Sequence, residues 1–465
     1  MKFKTTLVLL AGFIVLLAFI LFLDKKPQDA GTAGAQDKLL TLKAADIEKI
    51  SIKRDGETLT FKKDDKGDWM VAEPIEVRAD NSEVGQVAEM FADLNIDRVV
   101  EKDKADLKKY EIPKKEVLLW TKGQAPPVRV LFGMENPIGG AIYAQKDGDP
   151  RVVLVTSTLK TTLDKKLFDF RQKDVFKYDT ADVAGVKLQA KDVFWQAQKK
   201  DDDWWLDAPV KALATGSKVT AVLDMLSNMR AKEFVAENKT PADLKKFGLD
   251  KPEVQLVLAM PKTGKELVVS LHKDDKEGKT YVTTSPSTKI IVPESDLLAD
   301  LGKKPDEYRE KKVAVFSSWQ ATKVALTKDA LSLAPAKSTN DKWYLDAALK
   351  EEADGTKIET FLRKVENLEA AEFIDAPKSL AEYGLDKPQA VVTVTTKETG
   401  EKAVEKSVTI LVGKPDKDKK QVVVKNSRLA YLFRVESGFL DEFPKEVKDW
   451  KVAAPEPEKK EPAKK

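Results

Sequence analysis

Residues 354–374 read DGTKIETFLRKVENLEAAEFI, and two other stretches, 80–100 (DNSEVGQVAEMFADLNIDRVV) and 215–235 (TGSKVTAVLDMLSNMRAKEFV), follow the same plan. Each opens on a residue of N-cap type, Asp354, Asp80 or Thr215, whose side-chain oxygen can accept from the first unpaired N–H groups of a helix. Apolar residues follow at Ile358, Phe361, Leu362, Val365 and Leu368, at Val84, Val87, Ala88, Phe91 and Leu94, and at Val219, Val222, Leu223 and Leu226. Their i, i+3, i+4, i+7 spacing lays one apolar stripe along a helix. Fifteen positions after the first apolar residue come Val99, Phe234 and Phe373, followed by Val100, Val235 and Ile374, with no gap in any copy. A helix length and a helix-to-strand distance met three times predict three diverged copies of one module.

Other landmarks recur in the same order. A tryptophan ends a charged turn at Trp69, Trp204 and Trp343. An aromatic-led turn reads Phe247-Gly248-Leu249-Asp250-Lys251-Pro252 and Tyr383-Gly384-Leu385-Asp386-Lys387-Pro388, and in the first copy Tyr110-Glu111-Ile112-Pro113. Gly248 and Gly384 are expected to be left-handed C-caps of a short helix that Pro252 and Pro388 prevent from continuing. Asp250 and Asp386 are expected to cap the turn, and Glu111, having a side chain, to adopt another conformation. Alternating segments such as Ile50, Ile52, Leu59 and Phe61 read as strands. Copies close on Phe170-Arg171, Tyr308-Arg309 and Trp450-Lys451. The predicted fold class is α+β: three tandem modules, each a mainly antiparallel sheet with one main amphipathic helix, behind an N-terminal transmembrane helix. The expected boundaries are an anchor at 1–24, a flexible stalk at 25–38, modules at 39–176, 177–316 and 317–451, and a disordered tail at 452–465.

The anchor rests on an apolar run from Leu7 to Leu23, preceded by Lys2 and Lys4 and ended by Asp24, Lys25 and Lys26. Its length is at the short end for a bilayer span, and longer than the apolar core of most cleaved signal peptides, the rival reading. The flanking lysines place the N-terminus in the cytoplasm and the body outside it. This implies an inner-membrane protein with a periplasmic or other extracytoplasmic body. Composition narrows the chemistry. Lys and Arg number 80 against 77 Asp and Glu, a dispersed balance that lacks the basic stripe of a nucleic-acid binder. The chain has no cysteine, which excludes disulfides, thiolate metal sites and lipoprotein acylation.

Among candidate chemical groups, the one histidine, His272, reads as an exposed turn residue, because the other copies have Gly133 and Gly413 at its place. Asp201 to Asp203 read as a solvated hairpin rather than a calcium loop, which needs a glycine and a distal glutamate. Trp69, Trp204 and Trp343 read as core. Of the neighbours Trp204 and Trp205, one must face outward or into a module interface. Phosphate-loop, nucleophile-elbow and His-Glu metal motifs are missing. No catalytic, cofactor-binding or metal residue is therefore assigned, and no cofactor is expected.

In their order, the tryptophan strand, the Asp-capped helix, the aromatic-Gly-Leu-Asp-x-Pro turn and the closing aromatic-Arg resemble the bacterial domain-of-unknown-function family 4340 from about Leu40 to Lys451. The first copy departs in lacking the turn glycine and the third in lacking the closing arginine. The resemblance implies a membrane-complex accessory role, since such proteins are often encoded beside ABC-type transport systems related to gliding-motility exporters. The expected function is a non-catalytic envelope scaffold that binds a membrane-protein partner such as an ABC-type transporter. The alternatives are a cell-wall glycan-binding protein, using Trp195, Trp205, Trp319 and the Lys-rich tail, and a hydrolase built on a Ser-Lys or carboxylate pair.

Overall fold

The computed structural model describes residues 37–452 except 104, 398–403, 417 and 419. In the first module, β1 (Ile47–Arg54), β2 (Glu57–Lys63), β3 (Trp69–Glu73) and β4 (Val77–Arg78) form one meander. After helix α1 (Asn81–Ala92) and β5 (Arg98–Glu101), β6 (Lys115–Thr121), β7 (Val128–Glu135), β8 (Ile142–Lys146) and β9 (Val152–Val155) form another. Their order across one nine-stranded sheet is β4-β3-β2-β1-β6-β7-β8-β9-β5, and every pair is antiparallel. Helix α1 thus carries the chain from one edge of the sheet to the other.

Val84, Val87, Ala88 and Phe91 of α1 are buried in a core with Ile50, Leu59, Phe61, Val130, Phe132 and Val153. Side chains alternate along a strand, so Leu131 and Val152 point to the opposite face. There they meet Tyr110 and Ile112 in a smaller core. The second meander, covered on both faces, therefore carries continuous apolar runs, whereas the first alternates.

The second module repeats this path strand for strand, with helix α2 (Gly216–Ser227). The third repeats it with helix α3 (Gly355–Glu366) and two departures: the fourth strand is reduced to a single bridge between Tyr344 and Glu352, and the second strand is interrupted. Its second strand splits into Leu331–Leu333 and Ala336–Lys337 at Pro335, a residue without the N–H a ladder requires.

Three sets of backbone hydrogen bonds close each module in the same way. The opening segment donates to the end of the main helix, from the amides of Leu39, Val175 and Val313 to the carbonyls of Leu94, Met229 and Leu368. The tryptophan carbonyl accepts from the residue before the helix cap, Ala79, Ala214 or Ala353. The cap amide, from Asp80, Thr215 or Asp354, donates to Phe170, Tyr308 or Trp450 at 2.8 Å each. The expected boundaries need correction at these joints. Asp174 bridges to Arg230 and Lys312 to Glu369, so residues 174–176 belong to the second module and 312–316 to the third. Lys38 bridges to Asn95, which places it in the first module rather than in a stalk.

The chain divides after Lys173. The first module forms one compact unit, and the second and third modules, from Asp174 onward, form the other. The apolar run from Leu7 to Leu23 lies outside the described residues. Among the described residues, no helix is long and apolar enough to cross a membrane.

Candidate functional site

Trp69, Trp204 and Trp343 are all buried, each in its own module's core. Each is tied to the first residue of the main helix. The Trp69 amide donates to Asn81 Oδ1 at 2.6 Å. A Cβ on Gly216 would lie 3.6 Å from the Trp204 ring, and one on Gly355 3.2 Å from the Trp343 ring. Asp80 accepts from the amides of Ser82 and Glu83, and Asp354 from that of Lys357. Thr215 occupies the same position without that bond, and its hydroxyl donates instead to the Arg309 carbonyl at 3.1 Å.

The aromatic-led turns share one backbone closure. The amides of Ile112, Leu249 and Leu385 donate to the carbonyls of Leu107, Leu244 and Leu380, the six-to-one bond of a Schellman end. Gly248 (φ 69°) and Gly384 (φ 67°) are left-handed, and so is Glu111 at φ 54°. The expectation of a different backbone at Glu111 is therefore wrong. The three closing hydrogen bonds hold that geometry whether or not the residue has a side chain. Asp250 and Asp386 are exposed, and among the described residues neither carboxylate makes a hydrogen bond or ion pair. The backbone closes the turn in place of the side-chain capping expected of them. Pro252 and Pro388 each stand two residues before the next strand, at Val254 and Ala390.

Opposite the turn lies the position of Gly133, His272 and Gly413. It is within the strand rather than at an exposed turn, since His272 pairs with Tyr281. A Cβ on Gly133 or Gly413 would overlap the carbonyl oxygen of Tyr110 or Tyr383, so these glycines seat the short helix against the sheet. In the second module the His272 ring lies where a Cβ on Gly248 would have to be. His272 is half-buried, and among the described residues its Nδ1 has no hydrogen-bond partner.

Trp205 is half-buried and packs against the core of the third module. This settles the neighbour question, with Trp204 inward and Trp205 in the interface. The junction is also tied by Arg309, whose side chain is 2% exposed. Its guanidinium lies 3.7 Å from the Phe373 ring centre and 5.1 Å from that of Tyr431, and it donates to both Asp375 oxygens at 3.0 and 2.5 Å. Across the joint the Leu213 amide donates to the Tyr431 hydroxyl at 3.3 Å; within the third module Asn426 Nδ2 donates to the Val313 carbonyl at 2.8 Å. Burial raises the pKa of Tyr431.

Beside these contacts runs a groove of about 400 Å³. The second module contributes Asp202, Asp203, Trp205, Gly216 and Glu310; the third module contributes Val315, Phe316, Thr396, Lys406 and Arg428. The sequence located the Asp201–Asp203 hairpin and Trp205 but not Val315, Phe316 or Arg428. These meet only through the docking of two modules, which leaves no local signal.

Elsewhere, Lys239 donates to Thr283 Oγ1 at 2.9 Å and to the Thr284 carbonyl at 2.7 Å, and burial lowers its pKa. Thr283 is itself buried and donates to the Lys289 carbonyl. This pairing braces the strand ends and offers no accessible nucleophile. Trp195 is fully buried against Tyr308 at 4.5 Å, so of the three tryptophans considered for sugar stacking only Trp319 is well exposed, at 66%. Among the described residues, no group of three or more His, Asp or Glu side chains could hold a metal ion.

Three sheets built on one path, opened and closed by the same hydrogen bonds, define a tandem-repeat α+β protein. The family described as "Domain of unknown function (DUF4340)" matches residues 69–237, 204–379 and 374–461, the first two segments beginning at Trp69 and Trp204. The chain belongs to that family. No curated protein and no solved structure matches it.

Proposed function

We propose that this chain is a non-catalytic envelope protein that binds other proteins, held at the inner membrane by Leu7 to Leu23 with its body outside the cytoplasm. Its place is as an accessory of an ABC-type export or gliding-motility-like complex. The observation that carries the reading is the docked pair of modules. Arg309 fixes two copies of the module into one body, and beside that joint Val315 and Trp319 stay 55% and 66% exposed. Exposed apolar side chains next to a rigid concave surface are what a partner covers. The apolar run and its lysine flanks support the membrane placement.

The test is affinity purification of the full chain from detergent-solubilised membranes. The expected result is stoichiometric recovery of an integral membrane protein. Recovery of the chain alone, over a range of detergents and after crosslinking, would contradict the reading.

A further inference from the structure

We propose that the groove between the second and third modules is the docking site itself, and that its occupant is an extended segment of a partner protein carrying a lysine or arginine beside apolar side chains. This rests on the protein-binding reading above and adds a place and a chemistry to it.

One wall of the groove is acidic. In the first module, Asp68 stands just before the tryptophan and accepts from Asn81 Nδ2 at 2.8 Å, while Asp64 accepts from the amides of Lys66 and Asp68. In the third module the matching Lys342 pairs with Glu352. In the second module Gly216 replaces Asn81, as Gly355 does in the third, so the side-chain donor that pairs Asp68 is gone there. Among the described residues, Asp202 and Asp203 make no side-chain hydrogen bond or ion pair. Two unspent carboxylates therefore line the groove, whereas the matching Asp68 and Lys342 of the other copies are paired within their own modules.

The floor is apolar. Trp205, Phe316 and Val315 give it an apolar base, and Val315 remains exposed. Counting the charged lining residues gives three carboxylates (Asp202, Asp203, Glu310) against two cations (Lys406, Arg428). The balance favours a cationic occupant, and its placement on the second module's wall keeps it from the cations on the third. A groove whose walls are already fixed by Arg309 loses little freedom on binding.

The test uses the full chain in detergent and short random peptides displayed on phage. Selected peptides are expected to carry Lys or Arg next to apolar residues. The double change Asp202→Asn with Asp203→Asn, and separately Val315→Lys, should each weaken their binding about tenfold or more. Asp65→Asn, on the matching hairpin of the first module, should leave it unchanged. All these positions are exposed, so unaltered thermal melts are expected to accompany the loss. Absence of enrichment, enrichment of peptides without a basic residue, or equal binding by the groove variants would overturn the proposal. The same variants in the membrane purification separate the two ideas. A partner recovered equally by wild type and groove variants rejects the groove and leaves the protein-binding reading standing. Failure of the wild-type chain to recover any partner rejects that reading.

Discussion

At Gly384 the backbone sits at φ 67°, and an added Cβ would run into the Lys414 side chain. Valine there should cost about 2 kcal/mol or more, since a branched side chain tolerates this region poorly even without a clash. Glu111 already bears that conformation with a side chain. Glu111→Gly should therefore stabilise the first module by up to about 0.5–1 kcal/mol, and Glu111→Val should destabilise it by about 1 kcal/mol. Urea titrations of the three variants check the order. A second test pairs residues that touch. Gly248→Ala should be damaging because its Cβ meets the His272 ring. The double variant with His272→Gly, which removes that ring and places at 272 the glycine the third module has at Gly413, should recover the steric part of the loss, and a non-additive cycle is the expected result. A third concerns Tyr308, whose hydroxyl pKa burial pushes up to about 12 from 10.0. A raised pKa means the folded state keeps the proton that the unfolded state releases. This stability is present in full below pH 10.0 and is lost as pH rises towards 12. Tyr308→Phe should flatten the fall in melting temperature over that window; an unchanged slope would count against the buried hydroxyl as its cause. Positive φ at Gly384 was legible because glycine before Leu-Asp-x-Pro is a local signal. The backbone at Glu111 was not, because hydrogen bonds rather than residue type impose it there.

The main helix is the element the sequence showed best. Its stripe, Ile358, Phe361, Leu362 and Val365 in α3, is the set of residues buried there, because 3.6-residue periodicity is a property of the chain itself. Its caps divide by chemistry. Asp80→Ala removes two accepted hydrogen bonds, at 3.0 and 3.2 Å, and should cost about 1 kcal/mol. Thr215→Asp should gain a cap and lose the bond that ties the helix start to Arg309. The expected outcome is a more stable helix in a looser module, read as unchanged helical circular dichroism with faster amide exchange around 308–309. Strand boundaries were partly legible. The alternation of the first meander marks a sheet covered on one face. The continuous apolar run of the second meander hid a further small core, since periodicity cannot say which of two buried faces a side chain takes. Module ends were misplaced by three to five residues because the opening segments pair with a helix end far along the chain, and no local pattern encodes that.

For the whole molecule, repetition was readable and docking was not. Three copies follow from spacing alone, whereas the joint between the second and third depends on Arg309 reaching Phe373 and Asp375 across 64 and 66 residues of sequence. The closing arginine could be seen as a motif, but its partners could not. Burial of the guanidinium makes its loss costly: Arg309→Ala should remove about 1–3 kcal/mol by stranding its partners and opening the stack. Arg309→Lys should rescue little, because a single ammonium cannot reproduce the planar two-oxygen fork. These two modules act as one body, which is what gives the groove beside Trp205 a fixed shape. Hydrogen exchange of the full chain, followed by mass spectrometry under conditions that favour correlated opening, tests this most directly. The prediction is that peptides covering 308–316 and 371–375 open together in the wild-type chain and separately, with faster exchange, in Arg309→Ala. Independent opening of the two segments in the wild type, or indifference to the substitution, would contradict it.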